Sequence, residues 1–544
     1  MNDHDNTDSS TNISRREALK LSGLTLGGLA CGGSLFDLVT RAAQAADTCE
    51  SDCTCAEGPS CRWDSEARAQ NYTYFNRLPP FSPFSRETST TIPRLGKDEM
   101  RITFMGSAVP PRTLAQRMMS IFVEIGWDEA TQMPRDQFVF DCGSGVCANY
   151  GAMNVGYGRM TKIFLTHLHG DHMSDLVHIY CFGPSGDRKS PQFVWGPGPS
   201  GLRNPDYDPA DETRGPEFYD DGNRAFCAHL REACRWHSES FSFQTTSYKL
   251  YEPPTQADWG LPHEPVPVGT DSPRDAYALI PIELDLTLPA EQRVAYDNPT
   301  TGVRITYFPV IHDRLGSIGY KLEWNGLSLI FTGDTKPETK SLEQARNGGD
   351  GIDVFIHEMA VPAEIWAMKS LRLNDPDQVP DAAVQQSQMV QNSSHSPQGA
   401  FGYILNQIHP RPRLTVATHF PTADDTVACA MRSLREHGPV YMGNNANHTA
   451  DAARVTWSFD RMVITVSKDR ILEQRGMVEE FGFQATYQPP PGTYNQPDGF
   501  DTPKYHYAGQ TGGAAGDPYA QIDTATAICP CGPDGECNFR EDGY

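Results

Sequence analysis

Residues 166–172 read Thr166-His167-Leu168-His169-Gly170-Asp171-His172, directly after the apolar run Ile163-Phe164-Leu165. A short apolar run bounded by turn residues predicts a buried strand. On an extended backbone, side chains two apart share a face, so His167 and His169 point one way and Leu168 the other. Gly170 lets the chain bend, which brings Asp171 and His172 to the same space. Three imidazoles and a carboxylate suit zinc, or another first-row ion that takes nitrogen and oxygen ligands. A solvated polar loop is the plain alternative, but such loops rarely space three histidines and an aspartate in this way.

The chain of 544 residues is long enough for a large core and two to four domains. Its net charge of −24 argues against a nucleic-acid partner, which needs lysine and arginine to neutralise phosphate. The first 45 residues read as a twin-arginine export signal: Arg15-Arg16, an apolar Gly-rich stretch from Leu21 to Phe36, then Ala43-Gln44-Ala45 as a cleavage site. The expectation is a periplasmic or secreted protein, handled by the twin-arginine translocation machinery, with no transmembrane segment in the mature chain. Lipidation at Cys31 stays open. The 14 cysteines fall to 13 without Cys31 and cluster at the mature ends, at Cys49, Cys53, Cys55 and Cys61, then Cys529, Cys531 and Cys537. In an oxidising compartment disulfides are the default reading; the pairing and the oligomeric state stay open.

Residues 46–98 read as a Cys- and Pro-rich arm, 99–487 as the catalytic domain with an insertion at about 197–300, and 488–544 as an irregular tail. Strands are expected at 101–107, 120–125, 137–141, 163–165, 192–195, 303–310, 318–323, 327–331, 353–357 and 414–419, with 455–459 and 462–466 as a closing hairpin. A short helix is expected after the Gly143–Gly145 turn, ending near 155, with others from residues 173 to 182, 217 to 236, 342 to 346, 363 to 371, 398 to 408 and 426 to 437. Many of these strands end in a residue able to bind metal: Asp141, His167, His312, Asp334, His357 and His419. Strands sharing a sheet present such ends on one edge, where α/β folds bind ligands.

This ordered set resembles the metallo-β-lactamase superfamily, and its ribonuclease Z branch in particular. The HxHxDH motif stands complete at His167, His169, Asp171 and His172. The preceding Phe140-Asp141-Cys142-Gly143 is similar to the family's strand-end aspartate turn, and Phe331-Thr332-Gly333-Asp334-Thr335, Ile356-His357-Glu358-Met359-Ala360 and Ala417-Thr418-His419-Phe420 are similar to its later motifs. Phe104-Met105-Gly106-Ser107-Ala108 and Pro111-Arg112 are similar to its opening strand and turn. The resemblance implies an αββα metallo-β-lactamase sandwich of the α/β class with two Zn2+ ions, or manganese or iron in their place. His167, His169 and His312 would hold one ion. Asp171, His172 and His419 would hold the other, and Asp334 would bridge them. Asp171 would thus serve both metal and reaction. Two such ions activate a water for attack at neutral pH.

His395 resembles the ribonuclease Z histidine that protonates a leaving group, with Glu358 as its orienting partner. Ser396 and Pro397 read as the N-cap and first residue of a helix, which would set His395 before a helix N-terminus, where the dipole favours an anionic transition state. His357 reads as strand-end support and Asp141 as a residue that fixes the metal loop. The function expected is hydrolysis of a small-molecule ester, a phosphodiester or sulfate ester, with His395 as acid. A lactone, carboxylic-ester or β-lactam hydrolase relying on the metals alone is the alternative, as is a nuclease of ribonuclease Z type. A di-iron redox protein would carry glutamate where this chain has His169. A non-catalytic relative would have lost ligands.

Overall fold

Alternation along the strands sets the layers. In the computed structural model the described residues are 94–110, 113–237 apart from 185, 189 and 235, 278–443 and 448–478, with Leu78 and the two-residue strand β1 (Pro80–Phe81). The segment read as an export signal, both terminal cysteine clusters, Pro111-Arg112 and the tail lie outside them. Among the described cysteines, Cys142, Cys147, Cys227 and Cys234 carry free thiols. Among the described residues no helix is long and apolar enough to cross a membrane.

The first sheet holds β2 (Met100–Gly106), β3 (Ser120–Asp128), β4 (Met133–Phe140), β5 (Lys162–Phe164), β6 (Gln192–Pro197), β7 (Leu279–Leu284), β16 (Met462–Val466) and β17 (Ile471–Gly476), in the order β1-β17-β16-β2-β3-β4-β5-β6-β7. The second holds β8 (Val294–Asn298), β9 (Val303–Pro309), β10 (Ile318–Trp324), β11 (Leu327–Phe331), β12 (Val354–Glu358), β13 (Leu414–Thr418), β14 (Val440–Tyr441) and β15 (Ala453–Trp457), in the order β14-β15-β13-β12-β11-β10-β9-β8. Phe104, Phe140, Phe164 and Trp195 of the first sheet meet Tyr320, Phe331, Ile356 and Val416 of the second in one shared core. Ile163 and Leu165, one residue either side of Phe164, turn outward onto Tyr150 of α1 (Val146–Ala152) and Ile179 of α3 (Leu176–Phe182). A short helix α2 (Gly170–Met173) carries the end of the metal motif, and α4 (Asn223–Ala233) covers the same outer face.

On the far side, Phe355, Ala417 and Val455 pack against α6 (Ala363–Ser370), α8 (Gln398–Gln407) and α9 (Asp424–His437), with α5 (Thr339–Arg346) and α7 (Asp381–Ser394) beside them. The result is an αββα sandwich: helices, sheet, sheet, helices. Strands buried on both faces read as continuous apolar runs, as in Val354-Phe355-Ile356 of β12, rather than alternating ones. Phe164 stacks on Trp195 at 4.4 Å between centroids and 5° between planes, at the centre of the shared core. Phe164→Ala is expected to cost about 3–5 kcal/mol, read as a lower midpoint in urea unfolding with unchanged slope.

Three expectations are corrected. Residues 455–466 do not form a hairpin. β15 joins β13 in the second sheet, while β16 joins β2 and β17 in the first. The chain crosses between sheets, held by Asp460, which accepts from Ser107 Oγ (2.9 Å), the Arg117 amide (2.7 Å) and Asn149 Nδ2 (2.7 Å). Burial pushes the Asp460 carboxyl up to about 6 against these bonds. The helix expected from 217 to 236 spans only Asn223–Ala233, because residues 217–219 pair back onto 202–204. Within the span read as an insertion, β7 pairs with β6 and β8 with β9, so residues 279–298 belong to the sheets.

Candidate metal centre

The ends of β4, β5, β9, β11, β12 and β13 meet along one edge, where the two sheets face each other. Three imidazoles converge there first: His167 Nε2 lies 3.0 Å and His312 Nε2 3.1 Å from His169 Nδ1. Four more side chains form a second group. His419 Nε2 lies 3.1 Å from Asp171 Oδ2, and His172 Nε2 lies 3.3 Å from Asp334 Oδ1 and 3.5 Å from Asp171 Oδ2. Asp334 Oδ2 lies 3.5 Å from His419 and 3.8 Å from His312, so this carboxylate faces both groups. All seven residues named from the sequence are therefore brought together, His169 half-exposed and His172, Asp334 and His419 buried.

Backbone geometry makes this convergence. Asp141 and His419 adopt left-handed φ of 57° and 55° at their strand ends, turning the chain at once. Gly333 has φ 61°, and a Cβ there would sit 2.6 Å from Thr166 Cβ, so only glycine lets the Asp334 turn approach the metal loop.

Three of the imidazoles are held by their second nitrogen, which leaves the first for a ligand. His312 Nδ1 donates to Ser394 O (2.9 Å), and His167 Nδ1 lies 3.0 Å from Thr166 Oγ1. His172 Nδ1 donates to Asp141 Oδ2 (2.8 Å). Asp141 also accepts from the Thr166 amide (2.8 Å) and hydroxyl (2.9 Å), so it fixes the motif from behind and faces no open space. Asp141→Ala is expected to weaken metal affinity about 10–100-fold with the fold intact, measured by competition with a chelating dye.

The donor set fits a pair of cations. His172 Nε2 and Asp334 Oδ1 are buried without a hydrogen-bond partner, which costs free energy unless a ligand completes them. Burial opposes charge on His172, but Asp334, Asp171 and Asp141 outweigh it and hold its proton well above the usual range. Burial likewise opposes the Asp171 charge, and His172 and His419 hold that carboxyl well below its usual range. Positive charge is thus favoured at this point, and nitrogen and oxygen donors suit zinc, manganese or iron.

A third grouping overlaps these two. His395 Nδ1 donates to Glu358 Oε2 at 2.9 Å and lies 3.9 Å from Asp334 Oδ2; its ring stands 5.2 Å from that of His312. Glu358 is buried, and its other oxygen accepts from the Thr335 amide. Burial disfavours the charged His395 ring, but Glu358, then Asp334 and Asp313, lift it to about 9. The helix expected here is present, since α8 begins just after His395, but its N-cap is Pro397: Ser396 Oγ donates to Thr335 O (2.8 Å) instead of capping, and His395 also closes the C-terminus of α7, whose dipole favours a cation. His357 is buried and kept neutral, pushed down by burial to about 4 with Nδ1 on Glu358 O (2.7 Å), and belongs to no metal group. The sequence reading missed Ser394 and Thr335, which act through backbone groups, and Asp313, 3.9 Å from His169 Nε2. Backbone contacts leave no side-chain pattern to detect, whereas Asp313 was visible beside His312.

A separate cleft of about 710 Å3 opens at the opposite end of the second sheet, near Trp324, Asn325, Asp350 and Pro410. None of the histidine cluster lines it, and its Arg413 is held by Asp353 (2.7 Å) and Ser467 O (2.8 Å).

No protein-family model matches the chain. Among curated proteins it is similar to a ribonuclease Z of Prochlorococcus marinus, 31% identical over 106 residues, which is 19% of this chain and 31% of that protein. It is 32% identical over 101 residues to a ribonuclease Z of Methanothermobacter thermautotrophicus, 18% of this chain and 29% of that protein. A ribonuclease BN of Proteus mirabilis matches at 28% over 98 residues, 18% and 30% of the two chains. The match thus spans less than a third of the length of these relatives. Among solved structures, the metallo-β-lactamase fold protein YhfI of Bacillus subtilis covers 68% of this chain and 100% of its own, at 12% identity and a TM-score of 0.38. The short form of human tRNase Z covers 67% and 98%, at 18% identity and a TM-score of 0.35. The αββα sandwich with its histidine-aspartate edge is thus of the metallo-β-lactamase fold class, and the matched segment is similar to part of the ribonucleases Z and BN.

Proposed function

We propose that this protein is an exported hydrolase that holds two divalent metal ions and splits a small phosphodiester or sulfate ester. The observation that carries this reading is the His395–Glu358 pair, 2.9 Å apart and beside Asp334. His167, His169 and His312 would hold one ion, Asp171, His172 and His419 the other, with Asp334 between. Zinc would supply Lewis-acid polarisation of water and of the ester oxygen.

The chain's own groups do the rest. Glu358 holds His395 Nδ1, which leaves Nε2 to carry a proton to the departing alkoxide. The carboxylate behind it and the α7 C-terminus keep that proton available near neutral pH. Asp141 and Ser394 keep His172 and His312 turned inward. An ester with a poor leaving group needs such an acid; lactones and β-lactams, whose ring opening can lean on metals alone, do not.

A nuclease is the second reading, because the matched relatives are ribonucleases. The net charge of −24 and the Arg15-Arg16 signal favour a small ester over RNA. The test is metal analysis of the mature protein with a panel of bis-aryl phosphodiester, aryl sulfate, lactone and structured RNA, beside cell fractionation for export. Two metals per chain and hydrolysis of the first two substrates are expected. Full activity in chelator would defeat the mechanism, and RNA cleavage with no small-ester activity would favour the nuclease.

A further inference from the structure

The wall beside the histidine cluster carries chemistry of its own. β5 and β6 pair in parallel with Phe164 opposite Trp195. Pro197, at the end of β6, therefore stands about one strand spacing, ~4.8 Å, from the Thr166–His167 end of β5. From Gly198 the chain builds a small hairpin at this edge. The Asn204 amide donates to Glu217 O (2.8 Å), the Tyr219 amide to Leu202 O (3.0 Å), and the Ser200 amide to Asp221 (2.8 Å). The hairpin is thus braced internally, yet Leu202, Phe218 and Tyr219 remain 39%, 53% and 37% exposed.

Next to it, residues 310–317 carry His312. This loop closes through the Val310 amide on Ser317 O (3.1 Å) and is pinned to the metal motif by the Ile318 amide on Thr166 O (2.9 Å). Its Ile311 and Leu315 are 53% and 76% exposed. An ion pair between Arg314 and Asp221 ties the loop to the hairpin. Charge on this wall is acidic: residues 198–222 carry seven carboxylates against two arginines, and the loop adds Asp313 beside Arg314.

We propose that Leu202, Phe218, Tyr219, Ile311 and Leu315 form an apolar wall that binds the uncharged aryl or alkyl group of the ester. The inference rests on the hydrolase reading above and names its substrate class. Large apolar side chains grouped on two braced elements suit a binding surface, and the Ile318 amide on Thr166 O and the Arg314–Asp221 pair tie these elements to the metal motif. A polyanion would meet carboxylates there, whereas an apolar group gains from leaving water. Burying a phenyl ring on the wall improves affinity by roughly ten- to fiftyfold.

The test uses the metal-loaded protein and two probes, phenyl methylphosphonate and methyl methylphosphonate, with binding read by calorimetry. The wild-type protein is expected to bind the phenyl probe at least tenfold more tightly. Phe218→Ser with Leu315→Ser, and Leu315→Ser alone as a milder change, should erode that preference while metal content and affinity for the methyl probe stay within twofold. Equal affinity for the two probes, binding of neither, or a preference that survives the double variant overturns the wall. A phenyl preference without hydrolysis of any ester would keep the wall and reject the proposed chemistry instead.

Discussion

His395→Ala is expected to lower kcat by about a hundred- to ten-thousandfold on an ester with a poor leaving group, with two metals still bound. The loss should shrink as the leaving group improves, because a nitrophenolate departs without a proton. That dependence separates an acid from a residue that merely shapes the site. The pH profile gives a second readout. A general acid works while protonated, so wild-type activity should persist below the His395 pKa and fall as pH rises through about 9. The alkaline fall should vanish in His395→Ala. Glu358→Gln should move it to lower pH, since the charge that holds the proton is gone while the 2.9 Å contact can be kept. Activity retained in full by His395→Ala would favour the lactone, carboxylic-ester or β-lactam alternative.

Asp334→Ala should have the larger effect on the metals. Its two oxygens face His172 at 3.3 Å, His419 at 3.5 Å and His312 at 3.8 Å, so no other carboxylate here addresses both groups. The variant is expected to bind fewer than two ions per chain by mass spectrometry of the native protein. Activity should drop on the order of a thousandfold, as removal of several kcal/mol of metal stabilisation implies. His419→Ala should lose ions from the second group alone, leaving His167, His169 and His312 able to hold one. Full activity in either variant would overturn the ligand assignment.

The edge cluster was legible in the sequence because its parts are local. His167 and His169 are two apart on a strand, and Asp334 and His419 each follow an apolar run directly. Partner choice was not legible. Alternation marks Ala453–Trp457 and Met462–Val466 as strands, but which sheet each joins depends on Asp460 contacts with Ser107, Arg117 and Asn149, far away in the chain. Helix α7 escaped notice for a different reason. Its sequence Asp-Ala-Ala-Val-Gln-Gln-Ser-Gln-Met-Val-Gln-Asn-Ser-Ser has no sustained apolar stripe, and Met389 and Val390 stay exposed. It docks through polar contacts such as Gln391 Nε2 on Val361 O (2.6 Å). β7 was hidden by the turn-rich segment before it and by Pro281 and Glu283, which interrupt its apolar run.

The ligand groups draw on both layers of the sandwich. His167, His169, Asp171 and His172 follow a strand of the first sheet, and His312, Asp334 and His419 follow strands of the second. An ion seated among them would therefore work as a clasp on the seam, bound by the closed sandwich and not by either sheet alone. Occupancy and folding then become one coupled equilibrium: free ion at a hundred times its dissociation constant adds about 2.7 kcal/mol to stability. The melting temperature of this protein should accordingly track the metal concentration of its surroundings, a record of loading that needs no substrate.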